Sequence, residues 1–304
     1  MYTLGEMVGD HCAVWIADAV LKKLISINDP LLLGPATSAP QCPDHTTSSI
    51  DASKVEVTDS INAIKSGAET HGALYYTLKN ALLSPISHYE YAHSRGRRAL
   101  DSHLKYGYIP LEDLILESPH PQQQVSRSLE YAYDDYVLAQ LLQFVLDNNS
   151  ERLSQSAWDT KGWHVNYAKN SLIEADYDVP ASALAFHQAT LDTLREHSTY
   201  YKNVIDTSVG FVRGRHANGS FTCPDTFDPT VYYKWITETN VWQYTWFVPH
   251  DVETMMDLYG GRASFAHKLN TFFDKGYYNH GNEPDHHAVY LSAYIEHSGD
   301  EVSN

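Results

Sequence analysis

The chain has 304 residues and a formal charge of −17, and aromatic residues make up 12% of it. That length can bury a substantial core in one large domain or two small ones. The acidic balance excludes a phosphate-backbone partner, because a nucleic-acid surface needs clustered Lys and Arg to release counterions.

Cys12, Cys42 and Cys223 are scattered and form no C-x-x-C pair, so neither a disulfide framework nor a thiolate metal site is implied. The first residues lack a basic segment followed by an apolar stretch, so no signal peptide is read there. No uncharged apolar run reaches the length of about 18 residues that a membrane span needs.

Helical periodicity dominates in chain order. Asp10 to about Ile27 reads as a helix through Val14, Ala17, Leu21 and Leu24. Residues 35–54 turn to Ser, Thr, Pro and Asp and read as a surface loop. Ser126 to Val145 gives the strongest helical pattern, with Leu129, Ala132, Tyr133, Tyr136, Val137, Gln140, Leu141 and Phe144 on one broad face and Ser126 as its N-cap. Further helices are expected near Arg152 to Ala168, Ala181 to Asn203, Asp251 to Tyr259, Arg262 to Phe273 and His286 to Ser298. Val209 to Arg215 and Phe221, around Asn218-Gly219, support at most a small β-hairpin. No strand–helix alternation that would build a parallel sheet is present. The expected fold is all-α, an (α/α)6-toroid-like helical barrel.

Three segments carry groups capable of chemistry. Asp10-His11 opens the first helix, where Asp10 can cap the first-turn amides. Glu238 precedes Trp242, Tyr244, Trp246 and Phe247. A carboxyl pressed against rings loses hydration, and its pKa rises toward that of a general acid near neutrality. A helix-capping or salt-bridged Glu238 is the alternative on residue type alone. His280-Gly281-Asn282-Glu283-Pro284-Asp285-His286-His287 offers oxygen ligands suited to a hard cation such as calcium. Zinc is the competing reading of its imidazoles, although adjacent His286 and His287 point in different directions.

The order of these segments, from Glu6 to about Tyr294, resembles glycoside hydrolase family 92, the calcium-dependent exo-acting α-mannosidases. Trp235 to Asp251 looks like the family's general-acid motif, with Thr239 standing where the family has Gly. Gly107-Tyr108-Ile109-Pro110, the run Val125 to Asp135, Phe211 to Arg215 and Phe227-Asp228-Pro229 also match family positions. Of the charged residues there, Arg127, Glu130, Asp134 and Asp135 read as helix-packing ion pairs.

The resemblance implies Glu238 as general acid. It also implies Asn282, Glu283 and Gln243 around a Ca2+ ion, and Asp10, His11, Trp242, Glu283, His286 and His287 as contacts for terminal mannose. It further implies inversion, with an acid and a base carboxylate roughly 6.5–9.5 Å apart, on α-mannosides of the N-glycan type, by proteins that are secreted or held in the cell envelope.

Measured against the family, residues 1–304 read as a partial (α/α) catalytic domain, without the preceding β-sandwich, the closing part of the barrel or the aspartates that serve as general base. Weak or no activity of the chain alone is therefore expected. A non-catalytic carbohydrate-binding or remnant protein is the second reading, and an unrelated all-α structural protein the third.

Overall fold

The computed structural model describes residues 11–33, 73–83, 97–116, 118, 121–154, 158, 182–223 and 225–297. The surface-loop assignment at 35–54, residue Asp10 and most of the helix expected at Arg152 to Ala168 lie outside the described residues. The chain is mostly helical, with one small hairpin and no closed barrel among the described residues. It divides into two compact units: one takes in residues 11–97 and 137–195, the other 98–136 and 196–304.

The first unit packs aliphatic side chains at helical spacing. Leu74, Leu78 and Leu82 recur along one face of the helix over 73–82 and join Leu138, Leu142, Leu191 and Leu194 in a buried cluster. Ala13, Ala17 and Val20 of the helix His11–Leu21 belong to the same cluster. That helix stops six residues before the predicted end, and Leu24 beyond it is exposed.

The second unit is organised by the first half of the long helical stretch Gln124–Ser154, which starts earlier than the periodicity predicts and is kinked at Asn149, whose φ of −154° and ψ of 40° are not helical. Every residue from Gln123 to Ala132 is buried, whereas Gln140 is exposed. A helix covered on all sides is a central element rather than an amphipathic one. Ser126 therefore lies inside the helix, and its hydroxyl does not cap it. The first-turn amides of Val125 and Ser126 instead donate to the Trp235 carbonyl at 3.0 and 3.4 Å, and Gln123 N–H donates to Lys234 O at 3.0 Å. The segment 234–237 is thus tied to the start of this helix by groups that every helix N-terminus leaves open.

A helix absent from the periodicity reading, Leu100–Tyr106, ends at Gly107 with φ 71°. A Cβ there would stand 2.7 Å from Asn203 Nδ2, which donates to Gly107 O at 2.9 Å, so only glycine fits. The helix Ala183–His197 gives way to a 3-10 turn, Tyr200–Val204, which leads into strand β1 (Ile205–Asp206). Strand β2 (Phe211–Val212) pairs with it antiparallel, Ile205 opposite Val212 and Asp206 opposite Phe211. The expected turn at Asn218-Gly219 exists, but it closes only a single bridge between Arg215 and Phe221. The helices Val252–Leu258 and Arg262–Asp274 match the sequence reading, and His286 to Ser298 resolves into a 3-10 helix, Glu283–Tyr290, followed by Ser292–His297.

Candidate active site

All the described candidate site residues except His11 belong to the second unit. The side chain of His11 and the whole of Asp10 lie outside the described part of the chain.

Glu238 occupies a tight turn. Its φ is 61°, and Thr239 N–H donates to Thr237 O at 2.7 Å across it. A hydrogen bond from i+2 to i around a residue of positive φ defines a γ-turn of the rare, strained kind. Such a conformation in a residue with a Cβ costs about 1–2 kcal/mol. The strain falls on the acidic residue itself and not on Thr239. Asn240 follows as the N-cap of the short helix Val241–Tyr244, its Oδ1 accepting from Gln243 N–H at 3.3 Å.

The expected enclosure of Glu238 by rings is corrected by the structure, because its side chain is exposed. The carboxyl that is enclosed belongs to Glu130, which is 4% exposed. Tyr244 Oη donates to Glu130 Oε1 at 2.7 Å, and Glu130 Oε2 has no hydrogen-bond partner among the described residues. Burial raises the Glu130 pKa well above the ordinary 4.5, and the charges of Asp134, Glu283 and Glu238 add to the rise against the opposing Tyr244 hydrogen bond. Burial likewise raises Tyr244, with Glu130 contributing. Glu130 is therefore not the helix-packing ion pair that its sequence position suggests. Arg127, three residues earlier, donates to Ser118 Oγ at 2.8 Å. Asp135 faces His197, whose Nδ1 lies 3.8 Å from Oδ2.

The two exposed carboxylates, Glu238 and Glu283, come from segments 45 residues apart in number and both act electrostatically on Glu130. Neither forms an ion pair among the described residues. Two of the predicted cation ligands also meet. Asn282 Nδ2 donates to Gln243 Oε1 at 3.4 Å, while Gln243 Nε2 donates to Tyr277 O at 3.1 Å. No three His, Cys, Asp or Glu side chains gather in a metal-holding group among the described residues. Gln243, Asn282 and Glu283 carry side-chain oxygens of the chemical type calcium takes, and Gln243 Oε1 is engaged by Asn282 Nδ2.

The histidines and the tryptophan separate. His287 Nε2 donates to Trp246 O at 2.6 Å and burial lowers its pKa, so it is a neutral imidazole fixed between elements. His286 is exposed and donates from Nε2 to His280 O at 2.8 Å, which holds the Gly281-Asn282 turn closed. Trp242 is 9% exposed, stacks on Tyr277 at 4.8 Å between centroids and meets Phe211 edge-on at 4.8 Å. Its indole packs against these two rings. Arg213 pairs with Asp206 at 2.5 Å, and Arg215 donates to Asn203 O and Gly219 O, both at 2.8 Å, so both arginines brace the hairpin.

The model of the glycosyl hydrolase family 92 catalytic domain matches residues 2–301. The chain belongs to glycosyl hydrolase family 92. A family 92 inverting mannosidase from Bacteroides thetaiotaomicron VPI-5482 is similar in fold, with a TM-score of 0.50 at 21% identity, over 83% of this chain and 30% of that one. A family 92 α-mannosidase from the same species aligns over 74% of this chain and 26% of its own, at 24% identity and a TM-score of 0.47. An uncharacterized secreted glycosidase of Arthroderma benhamiae (strain ATCC MYA-4681 / CBS 112371) is 28% identical over 210 residues, 66% of this chain. This family 92 chain spans 23% of the length of that curated relative.

Sequence reasoning named Tyr244 as a ring beside Glu238, Ser126 as a helix cap and Glu130 as a helix-packing ion pair; it missed the bond between Tyr244 and Glu130, which leaves no local signal because the two lie 114 residues apart.

Proposed function

We propose that this family 92 chain carries the acid side and the cation-and-sugar contacts of an inverting, calcium-dependent, exo-acting α-mannosidase site for terminal mannose on N-glycan-type mannosides. The observation that supports it most is the side-chain contact of Asn282 with Gln243, which brings together two expected cation ligands 39 residues apart, while the exposed Glu283 and Glu238 both help raise the pKa of Glu130. In this reading Glu238 protonates the leaving glycosidic oxygen, and its exposure lets an oligosaccharide reach it. Gln243, Asn282 and Glu283 would hold Ca2+ through oxygen atoms, and the bound ion would supply a Lewis acid and template for the terminal sugar. His286 and His287 act through the loop, keeping Asn282 and Glu283 in place. None of the described carboxylates is assigned as the base, so mannose release by these 304 residues alone is expected at background and unchanged by Glu238→Gln. Action outside the cytoplasm belongs to the same reading, supported by the word secreted in the fungal relative's name.

Calorimetric titration of the chain with methyl α-D-mannopyranoside tests the binding part. Heat of binding is expected with calcium and not after chelation, and it should vanish in Glu283→Gln and in Asn282→Ala. Binding that is indifferent to calcium would leave a carbohydrate-binding module without the proposed cation. No binding in either condition would remove the mannoside reading.

A further inference from the structure

Two tripeptides of the chain fit the N-glycosylation acceptor pattern, Asn148-Asn149-Ser150 and Asn218-Gly219-Ser220. Spacing alone makes them equal, and the structure separates them. Asn218 is exposed in the turn that closes the Arg215–Phe221 bridge. Gly219 N–H donates to His216 O and His216 N–H to Ser220 O, both at 2.8 Å, while Gly219 takes a φ of 88° that glycine adopts freely. Glu112 braces the turn from outside, its Oε2 accepting from Ala217 N–H at 2.9 Å. On this support the Asn218 side chain folds back on the residues that follow it. Ser220 N–H donates to Asn218 Oδ1 at 3.0 Å, and Ser220 Oγ donates to the same oxygen at 2.8 Å. Asn218 Nδ2 makes no hydrogen bond among the described residues. Asn148 is held differently. It sits in the helical stretch Gln124–Ser154, where its Nδ2 donates to Phe144 O at 2.8 Å, and no hydrogen bond joins it to Ser150 among the described residues. Asn149 between them is also engaged, donating from Nδ2 to Asn28 Oδ1 at 2.7 Å.

We propose that Asn218 is an N-glycan acceptor and that Asn148 is not. The co-reactant is an oligosaccharide carried on a polyprenyl diphosphate, delivered by an oligosaccharyltransferase. An amide nitrogen is a weak nucleophile because its lone pair is shared with the carbonyl. Two donors on Asn218 Oδ1 favour the form with negative charge on that oxygen, which eases loss of an Nδ2 proton. Nδ2 bonds to C1 of the first sugar as the bond from C1 to the diphosphate oxygen breaks. The polyprenyl diphosphate leaves with that electron pair, the Nδ2 proton passes to a base of the transferase, and nothing is oxidised or reduced. No hydrogen bond of the turn uses Nδ2, so the glycan leaves the hairpin intact and extends into solvent. At Asn148 the nitrogen is already engaged by the helix backbone and the carbonyl lacks the serine donor. The proposal rests on action outside the cytoplasm, since only a chain on the secretory route meets the lipid-linked donor.

The test translates the full chain behind an added signal sequence in the presence of rough microsomes, and weighs the protease-protected product before and after treatment with peptide N-glycosidase. One oligosaccharide is expected on the wild type and on Asn148→Gln, and none on Asn218→Gln or Ser220→Ala. Peptide mapping of the treated wild type should find the aspartate that the enzyme leaves at position 218 and asparagine still at 148. A protected wild type without a glycan overturns the proposal. So does a glycan that survives Asn218→Gln or Ser220→Ala, and so does one that disappears in Asn148→Gln. Because the signal sequence is supplied, a missing glycan counts against the acceptor and leaves the reading of where the natural protein acts untouched. No mannoside is added, so a failure of sugar binding would not alter the outcome.

Discussion

Replacing Glu130 by Gln should make the protein less sensitive to rising pH. The Glu130 carboxyl is buried, its pKa is raised above 4.5 chiefly by desolvation, and its neighbours of like charge are Asp134, Glu283 and Glu238. Below pH 4.5 the folded and unfolded chains both hold the proton, and the group contributes no pH dependence. Above it the unfolded chain releases the proton while the folded chain keeps it, so stability falls until the pH passes the folded pKa. Across that window the slope is about 1.4 kcal/mol per pH unit. Glutamine has the same shape, keeps the oxygen that accepts from Tyr244 and never ionises. The wild type should therefore lose more stability than Glu130→Gln when the pH is raised by one unit from just above 4.5, by up to about 1.4 kcal/mol while the folded carboxyl keeps its proton. Urea unfolding followed by tryptophan fluorescence at both pH values, with equal m-values, measures it, and the other titrating groups cancel in the difference. Parallel pH dependences would mean that folded Glu130 is already ionised, and the buried neutral acid would have to be abandoned.

Three further outcomes follow from the same geometry. Glu238→Gly should stabilise the chain by about 1 kcal/mol in urea, because glycine adopts a positive φ without strain; a destabilised variant would argue against the γ-turn. Arg213→Leu leaves Asp206 buried without its partner at 2.5 Å and should cost about 3–5 kcal/mol, part of which Asp206→Asn in the same chain restores. Additive losses in that double variant would show that the pair is not coupled. Phe272→Ala, in a fully buried cluster with Trp246 and Trp242, should cost about 3–5 kcal/mol, and a loss under about 1 kcal/mol would mean the site collapses around the cavity.

Much of the helical framework was legible. Arg262–Asp274 follows the predicted Arg262 to Phe273 within a residue, because Phe265, Leu269 and Phe272 recur at helical spacing and all three are buried. The long helix was found, and in its run of Ser126, Arg127, Ser128 and Glu130, where Ser126 reads as the N-cap and Arg127 and Glu130 as helix-packing ion pairs, each of these side chains is buried. Hydrogen bonds from Thr237, Ile109 and Tyr244 make that burial tolerable for Ser126, Ser128 and Glu130. The helix Leu100–Tyr106 is short, and its seven residues hold too few turns for periodicity to declare it.

Composition and local spacing by themselves determined the helical class, the acidic balance of the chain, and the motifs that carry Glu238, Asn282 and Glu283. Those properties depend on residue type and near neighbours, which the linear order preserves. Tertiary structure alone decided which carboxyl is buried and which exposed, that Trp242 packs inside, and that Gln243 meets Asn282. Desolvation and hydrogen-bond partnership depend on what folds against a group, and the partner of Glu130 is a tyrosine 114 positions along the chain.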